Sequence, residues 1–164
     1  MERLMTTIYT KGGYLGSGAS SDKLVALDGP AHLDGGAGSD NINGGKGDDI
    51  LQGGKGNDYM YGGAGKDTFL WLATDVDGST DKIFDFGGAG EASGDRLTFR
   101  GMGEGSSLNL LSHTAGTDGH VIYKYELIDT ATGNHNIISI ESVNGKPLTA
   151  GDYAFYGSVP VESV

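Results

Sequence analysis

Apolar residues recur every nine positions through the first half of this chain: Leu15, Leu24, Leu33, Ile42, Leu51, Met60 and Phe69 share one phase. A period of nine is neither the helical period nor the simple alternation of a hairpin strand. It marks a structural repeat in which each unit sends one side chain inward. Over residues 35–70 the whole unit is filled out, as GGAGSDNIN, GGKGDDILQ, GGKGNDYMY and GGAGKDTFL, without an insertion. Each unit divides into a six-residue turn and a three-residue strand. Successive strand side chains alternate between faces, so the apolar eighth position points into the core. Two units complete one coil of a roll, and turns on the same side therefore recur every 18 residues.

The turns carry the candidate chemistry. Glycines at the second position (Gly36, Gly45, Gly54, Gly63) and the fourth (Gly38, Gly47, Gly56, Gly65) permit a positive φ that other residues reach only at a cost. They also leave room for main-chain carbonyls to converge. The sixth position adds a carboxylate each time: Asp40, Asp49, Asp58 and Asp67. Calcium takes about 6–8 oxygen ligands, carboxylate and carbonyl alike. One turn does not offer that many, whereas two stacked turns do. The predicted sites lie between turns on the same side, joining Asp40 with Asp58 and Asp49 with Asp67. A few buried side chains do not offset the ordering entropy of so glycine-rich a stretch. Its carboxylates also repel one another, so the stretch is expected to fold on binding the ion. A flexible Gly/Asp linker would not hold Gly, Gly, Gly, Asp and an apolar residue in phase four times.

The flanks read as a degenerate roll and a cap. Residues 17–25 keep Gly18, Asp22 and Leu24, and Asp22 is a further candidate ligand beside Asp40; residues 26–34 place Ala31 in the ligand position. Beyond Leu70 the period stops. FLWLAT reads as a strand with Trp71 packing the end of the roll. TDVDGSTD is either a solvated turn or a further calcium loop using Asp75, Asp77 and Asp81. KIFDF, DRLTF, LNLL, HVIYKYELI and HNIISIESV read as strands, and LTAGDYAFYG as a helical turn leading into a last strand. The reading is all-β: a calcium-bound parallel β-roll capped by an antiparallel β-sandwich. Its parts are an N-terminal edge at 1–16, the roll at 17–70 and the cap at 71–164.

Composition narrows the function. Net charge is −11, and sixteen of the 22 acidic residues are Asp, including every acid between residues 17 and 70. A merely solubilising surface would use Glu as well; the short side chain suits a tight metal loop. So acidic a chain excludes a nucleic-acid partner. No apolar run reaches the length of a membrane-spanning helix. With no cysteine there is neither a disulfide scaffold nor a thiolate metal site. Millimolar calcium is an extracellular condition, so a secreted, extracellular protein is expected. MERLMTTIYT lacks the pattern of a cleaved leader, which predicts export by a route that reads no N-terminal signal.

These residues resemble the RTX calcium-binding modules at the C-termini of type I-secreted proteins. The repeat block 35–70 is the most specific part. DTFLW, TDKIFDF and GDRLTF, within residues 67–99, are similar to the segment after the roll in serralysin-type proteases and alginate epimerase R-modules. NGKPLTAGDYAF, residues 144–155, is similar to the end of such domains, and the final VESV is compatible with an export signal. The resemblance implies several bound calcium ions, passage through the type I secretion machinery and folding outside the cell. It implies no enzyme: there is no HExxH motif, the histidines form no ligand spacing, and no nucleophile motif is present. The alternative reading is a module that binds an anionic, alginate-like polysaccharide. Tyr59 and Tyr61 would stack on the sugar and Lys46, Lys55 and Lys66 would pair with its charge; Trp71, Tyr123, Tyr125 and Lys124 extend that set. The plainer account makes the aromatics strand packing and the lysines solubilising charges.

Overall fold

The computed structural model describes residues 7–91, 94–116 and 118–157. Its early strands are short, because each nonapeptide has three residues between glycine turns. They are β1 (Thr7–Thr10), β2 (Gly13–Gly16), β3 (Lys23–Ala26), β4 (Ala31–Asp34), β5 (Asn41–Asn43), β6 (Ile50–Gln52), β7 (Tyr59–Tyr61) and β8 (Thr68–Leu72). Longer strands come after them: β9 (Thr80–Phe86), β10 (Arg96–Arg100), β11 (Ser107–Ala115), β12 (Val121–Ile128), β13 (His135–Ser142) and β14 (Tyr153–Tyr156). Successive strands of the roll go to opposite sheets. One sheet has the order β1-β3-β5-β7-β9-β13-β12-β11 and the other β14-β10-β8-β6-β4-β2. Pairing within the roll is parallel, with Ile42 beside Met60 and Leu51 beside Phe69. The fold is thus an all-β roll of parallel strands.

The nine-residue ladder is the core. Leu24, Leu33, Ile42, Leu51, Met60 and Phe69 are completely buried, and Leu15 packs against them half-buried. Two further rungs lie beyond the clean repeats: Ile83 pairs with Met60, and Leu97 pairs with Phe69. Longer turns precede them, so the spacing between equivalent positions becomes 23 and 28 residues instead of 18.

The roll therefore runs on into the second half. β9 joins β7 in parallel, β10 joins β8 in parallel, and β14 closes the second sheet in parallel with β10. Antiparallel pairing is confined to the meander β11-β12-β13, which attaches through a parallel β13–β9 pair. Each long connection crosses between sheets, so its strand returns in the same direction, whereas two-strand hairpins reverse it. The helical turn expected at LTAGDYAFYG is not formed. Among the described residues the only helical element is a 3-10 turn at Ala73–Asp75, directly after β8. The segment before β14 instead folds over the meander: the Tyr123 hydroxyl donates to the Gly145 carbonyl at 2.9 Å, and the Leu148 N–H donates to the Tyr125 hydroxyl at 2.9 Å. The terminal VESV, and residues 1–6 of the N-terminal edge, lie outside the described residues.

Candidate metal centre

The turns stack in two columns, one along each edge of the roll. In one column the Lys55 N–H donates to the Gly36 carbonyl and the Gly38 N–H to the Lys55 carbonyl; in the other, Ala64 plays the same part between Gly45 and Gly47. This interlocking needs glycine. Gly54 has φ +96°, and a Cβ there would run into the Gly36 carbonyl oxygen of the coil before it. Gly56 meets Gly38, Gly63 meets Gly45 and Gly65 meets Gly47 in the same way. The carbonyls of one coil lie directly over the α-carbons of the next.

Each sixth-position aspartate uses its two oxygens differently. Oδ1 accepts the main-chain N–H of the residue one coil earlier: Asp40 from Asp22 at 2.7 Å, Asp49 from Ala31 at 2.7 Å, Asp58 from Asp40 at 2.8 Å and Asp67 from Asp49 at 2.9 Å. Oδ2 of Asp40, Asp49, Asp58 and Asp67 is buried and has no hydrogen-bond partner in the protein. It sits inside its own turn, in space that a Cβ on the first glycine would fill; from such a Cβ on Gly35, Asp40 Oδ2 would be only 2.6 Å away. Bare buried carboxylate oxygens are costly. Burial, reinforced by neighbouring carboxylates, pushes the carboxyl groups up, to about 8 for Asp58, about 7 for Asp67 and about 6 for Asp40, and raises Asp49 as well.

A hard cation fits this arrangement. The donor set is all oxygen, the unpaired atoms carry negative charge, and the glycines clear space beside them. Among the described residues no three His, Cys, Asp or Glu side chains gather as a metal cluster. Main-chain oxygens therefore have to complete any site, which is what a Gly-rich turn supplies.

The ladder extends past the clean repeats but changes character. Asp81 accepts the Asp58 N–H at 3.1 Å through Oδ1, and its Oδ2 accepts the Trp71 indole N–H at 2.8 Å. Asp95 accepts the Asp67 N–H at 2.9 Å, and its other oxygen accepts the Gly87 N–H at 2.7 Å. Protein donors thus hold the oxygens that the four repeats leave bare. Asp77 accepts from Gly56 and Ser79, and Asp85 from Gly62 and Gly63. Asp22 is buried at the other end of one ladder. Asp95 and Asp85 escaped the sequence reading. The signal for Asp95 was present: it stands two residues before Leu97, as Asp67 stands before Phe69.

The candidate sugar-binding residues separate. Tyr59 and Tyr61 are on the outer face of the eight-stranded sheet, where Tyr61 stacks on Phe84 (centroids 4.7 Å apart) and Lys82 Nζ lies 5.4 Å from the Tyr59 ring. Lys46, Lys55 and Lys66 are in the turns rather than on the strands that carry those rings, and Lys46 pairs with Asp28 at 3.8 Å. Trp71, Tyr123 and Tyr125 cannot line a surface groove. They belong to the core, because strand alternation turns them inward beside Phe99 and Ile138.

Comparison with known proteins agrees with this geometry. Residues 34–69 match the family model of the RTX calcium-binding nonapeptide repeat, in four copies. The solution structure of the AlgE6R3 subunit from the Azotobacter vinelandii mannuronan C5-epimerase is similar, with 28% identity and a TM-score of 0.59 over 88% of this chain and 83% of that one. The AlgE6R2 subunit of the same enzyme aligns with 25% identity and a TM-score of 0.49 over 90% of this chain and 95% of that one. A search of curated proteins gave no match. The chain thus carries four RTX calcium-binding repeats in a β-roll fold like that of an epimerase R-module.

Proposed function

We propose that the chain is an extracellular, non-catalytic module that folds when calcium enters its turns after type I export. The observation that carries this reading is the row of four buried, unpartnered Oδ2 atoms on Asp40, Asp49, Asp58 and Asp67. Bound calcium would supply the charge that neutralises them and would tie each coil to the next. Asp40 with Asp58, and Asp49 with Asp67, would provide the carboxylates; the glycines at the second and fourth positions would provide main-chain oxygens. Asp77 and Asp81 differ from this set in that protein N–H groups already donate to both oxygens of each. Circular dichroism during a calcium titration tests the reading, with native mass spectrometry counting the ions. A β signal that is full in chelator, or a chain that takes up no calcium, would end it. Export is tested by whether the chain reaches the medium only when a type I exporter is present.

A second reading, a surface for an anionic polysaccharide, is favoured by one observation. In a chain of charge −11, Lys82 and Lys124 share the outer face of the eight-stranded sheet with Tyr59, Tyr61 and Phe84. Cations beside stacked rings suit an acidic sugar, and the similar solved structure comes from an enzyme that acts on mannuronan. Titration with alginate oligomers in calcium should shift Tyr59 and Tyr61 resonances; a neutral glucan should not. Equal response to both, or to neither, rules this face out.

A further inference from the structure

The longest strand is also the least protected. β11 closes one end of the eight-stranded sheet and, among the described residues, is hydrogen-bonded only to β12. Among the described residues the six-stranded sheet ends at β14 and offers no strand opposite it. Its burial falls away along its length: Leu108 packs against the core, but Leu110 and Leu111 are 51% and 53% exposed. A bulge between Leu110 and Ser112 sets these two leucines side by side in the middle of the strand.

Long free margins of sheets are ordinarily shielded by lysine, proline, an inward charge, a covering loop or a bulge that twists them away; of these β11 has a bulge. The sequence SLNLLSHTA has no charged residue and no proline. Elsewhere acidic residues outnumber basic ones two to one, 22 against 11. This margin is therefore where two like-charged molecules approach with little repulsion.

We infer that β11 is the interface for a second copy of this chain, added antiparallel across a two-fold axis. The strand is complementary to itself in that arrangement. With the axis between Leu110 and Leu111, each Leu110 lies opposite the partner subunit's Leu111, and Asn109 lies opposite the partner subunit's Ser112. Apolar meets apolar and polar meets polar at its centre. A foreign strand would find no charge here to select it. A two-fold contact is closed, so both free margins vanish together. One strand pair is a small contact, of the weak class that buries less than about 1,200 Å².

Sedimentation of the calcium-loaded chain, from micromolar to near-millimolar concentration, tests this. The weight-average mass should rise towards twofold. The double variant Leu110→Lys/Leu111→Lys should stay monomeric with an unchanged circular dichroism spectrum. Ile50→Lys, an exposed site on the other sheet, should dimerise as the parent does. Amide exchange in the parent gives a readout free of mutation: β11 amides should slow with concentration while those of β1 do not. A mass that never rises, a dimer that survives the lysines, or β11 amides indifferent to concentration would overturn the inference.

Discussion

Asp58 Oδ1 accepts the main-chain N–H of Asp40 at 2.8 Å, while its Oδ2 is buried and accepts nothing. One carboxylate thus does two separable things: it holds the backbone of the preceding coil and aims a bare charge into the turn. Substitutions can divide the two. Asp58→Asn keeps an acceptor for Asp40 and removes the charge, so calcium affinity should fall by about tenfold or more with little change in the fold at saturating calcium. Asp58→Ala also strands the Asp40 N–H and should cost a further ~1–3 kcal/mol. Isothermal titration, with urea unfolding in excess calcium, separates the effects. Equal loss in both variants would mean that the charge and the hydrogen bond are not distinct.

Glycines in the turns divide by what lies over them. Gly54 (φ +96°) has the Gly36 carbonyl over its α-carbon, whereas Gly78 (φ +95°) has nothing within 4 Å. Backbone strain is common to both, about 1–2 kcal/mol for a residue with a Cβ. Gly78→Ala should cost about that much. Gly54→Ala should cost clearly more, because the coils must also separate, and it should weaken calcium binding. Urea midpoints in excess calcium give the comparison; equal midpoints would show that the stacking is loose enough to absorb a methyl group.

The sequence announced the roll and withheld its end. The 18-residue partnership of Asp40 and Asp58 was legible because the period has no insertion. Asp81 and Asp95 continue the two ladders, but longer turns before them move the spacing to 23 and 28, and a search for period misses it. The aspartate-to-apolar spacing survived, in Asp81 to Ile83 and Asp95 to Leu97, and could have been followed. Strand direction beyond the clean repeats was not legible. Alternation in KIFDF or DRLTF fixes which side chains face inward and carries nothing about parallel against antiparallel neighbours. Nor does alternation in HVIYKYELI say which of its faces is buried, so Tyr123 and Tyr125 read as surface candidates beside Tyr59, whose outward place the repeat does fix.

The raised carboxyl groups set a pH dependence for the calcium-free chain. Unfolded aspartates titrate near about 3.9, while burial lifts Asp40 to about 6, Asp67 to about 7 and Asp58 to about 8. The folded form then holds protons more tightly than the unfolded chain, so protonation favours folding. That stability is fully present below about pH 4 and is lost as pH rises through about 6 to 8. In chelator, β structure should therefore be greater at pH 5 than at pH 8. Calcium displaces the same protons, so its affinity should fall on acidification across this window. Circular dichroism and calcium titration at the two values check both halves; a chelated chain equally folded at each would contradict the assignment.

Trp71 and Asp81 provide the sharpest contrast with the repeats. Both are buried, and the indole N–H reaches the oxygen that would otherwise be bare, at 2.8 Å. Trp71→Phe keeps most of the ring against Phe99 and removes only the donor. A buried acceptor left unpaired costs about 1–3 kcal/mol, more when it is charged. Burial, working against the opposing pull of the Trp71 and Asp58 hydrogen bonds, pushes Asp81 up to about 6. With the indole donor gone it should rise further. The loss should therefore be larger at pH 8, where the carboxylate must carry its charge, than at pH 5, where it is protonated. Asp81→Asn in the Trp71→Phe background removes the charge and should recover part of the stability at pH 8 but little at pH 5. Urea unfolding in saturating calcium, run as a double-mutant cycle at both pH values, measures the coupling directly. A cycle with no interaction energy would mean that the indole bond does not cap this end of the ladder.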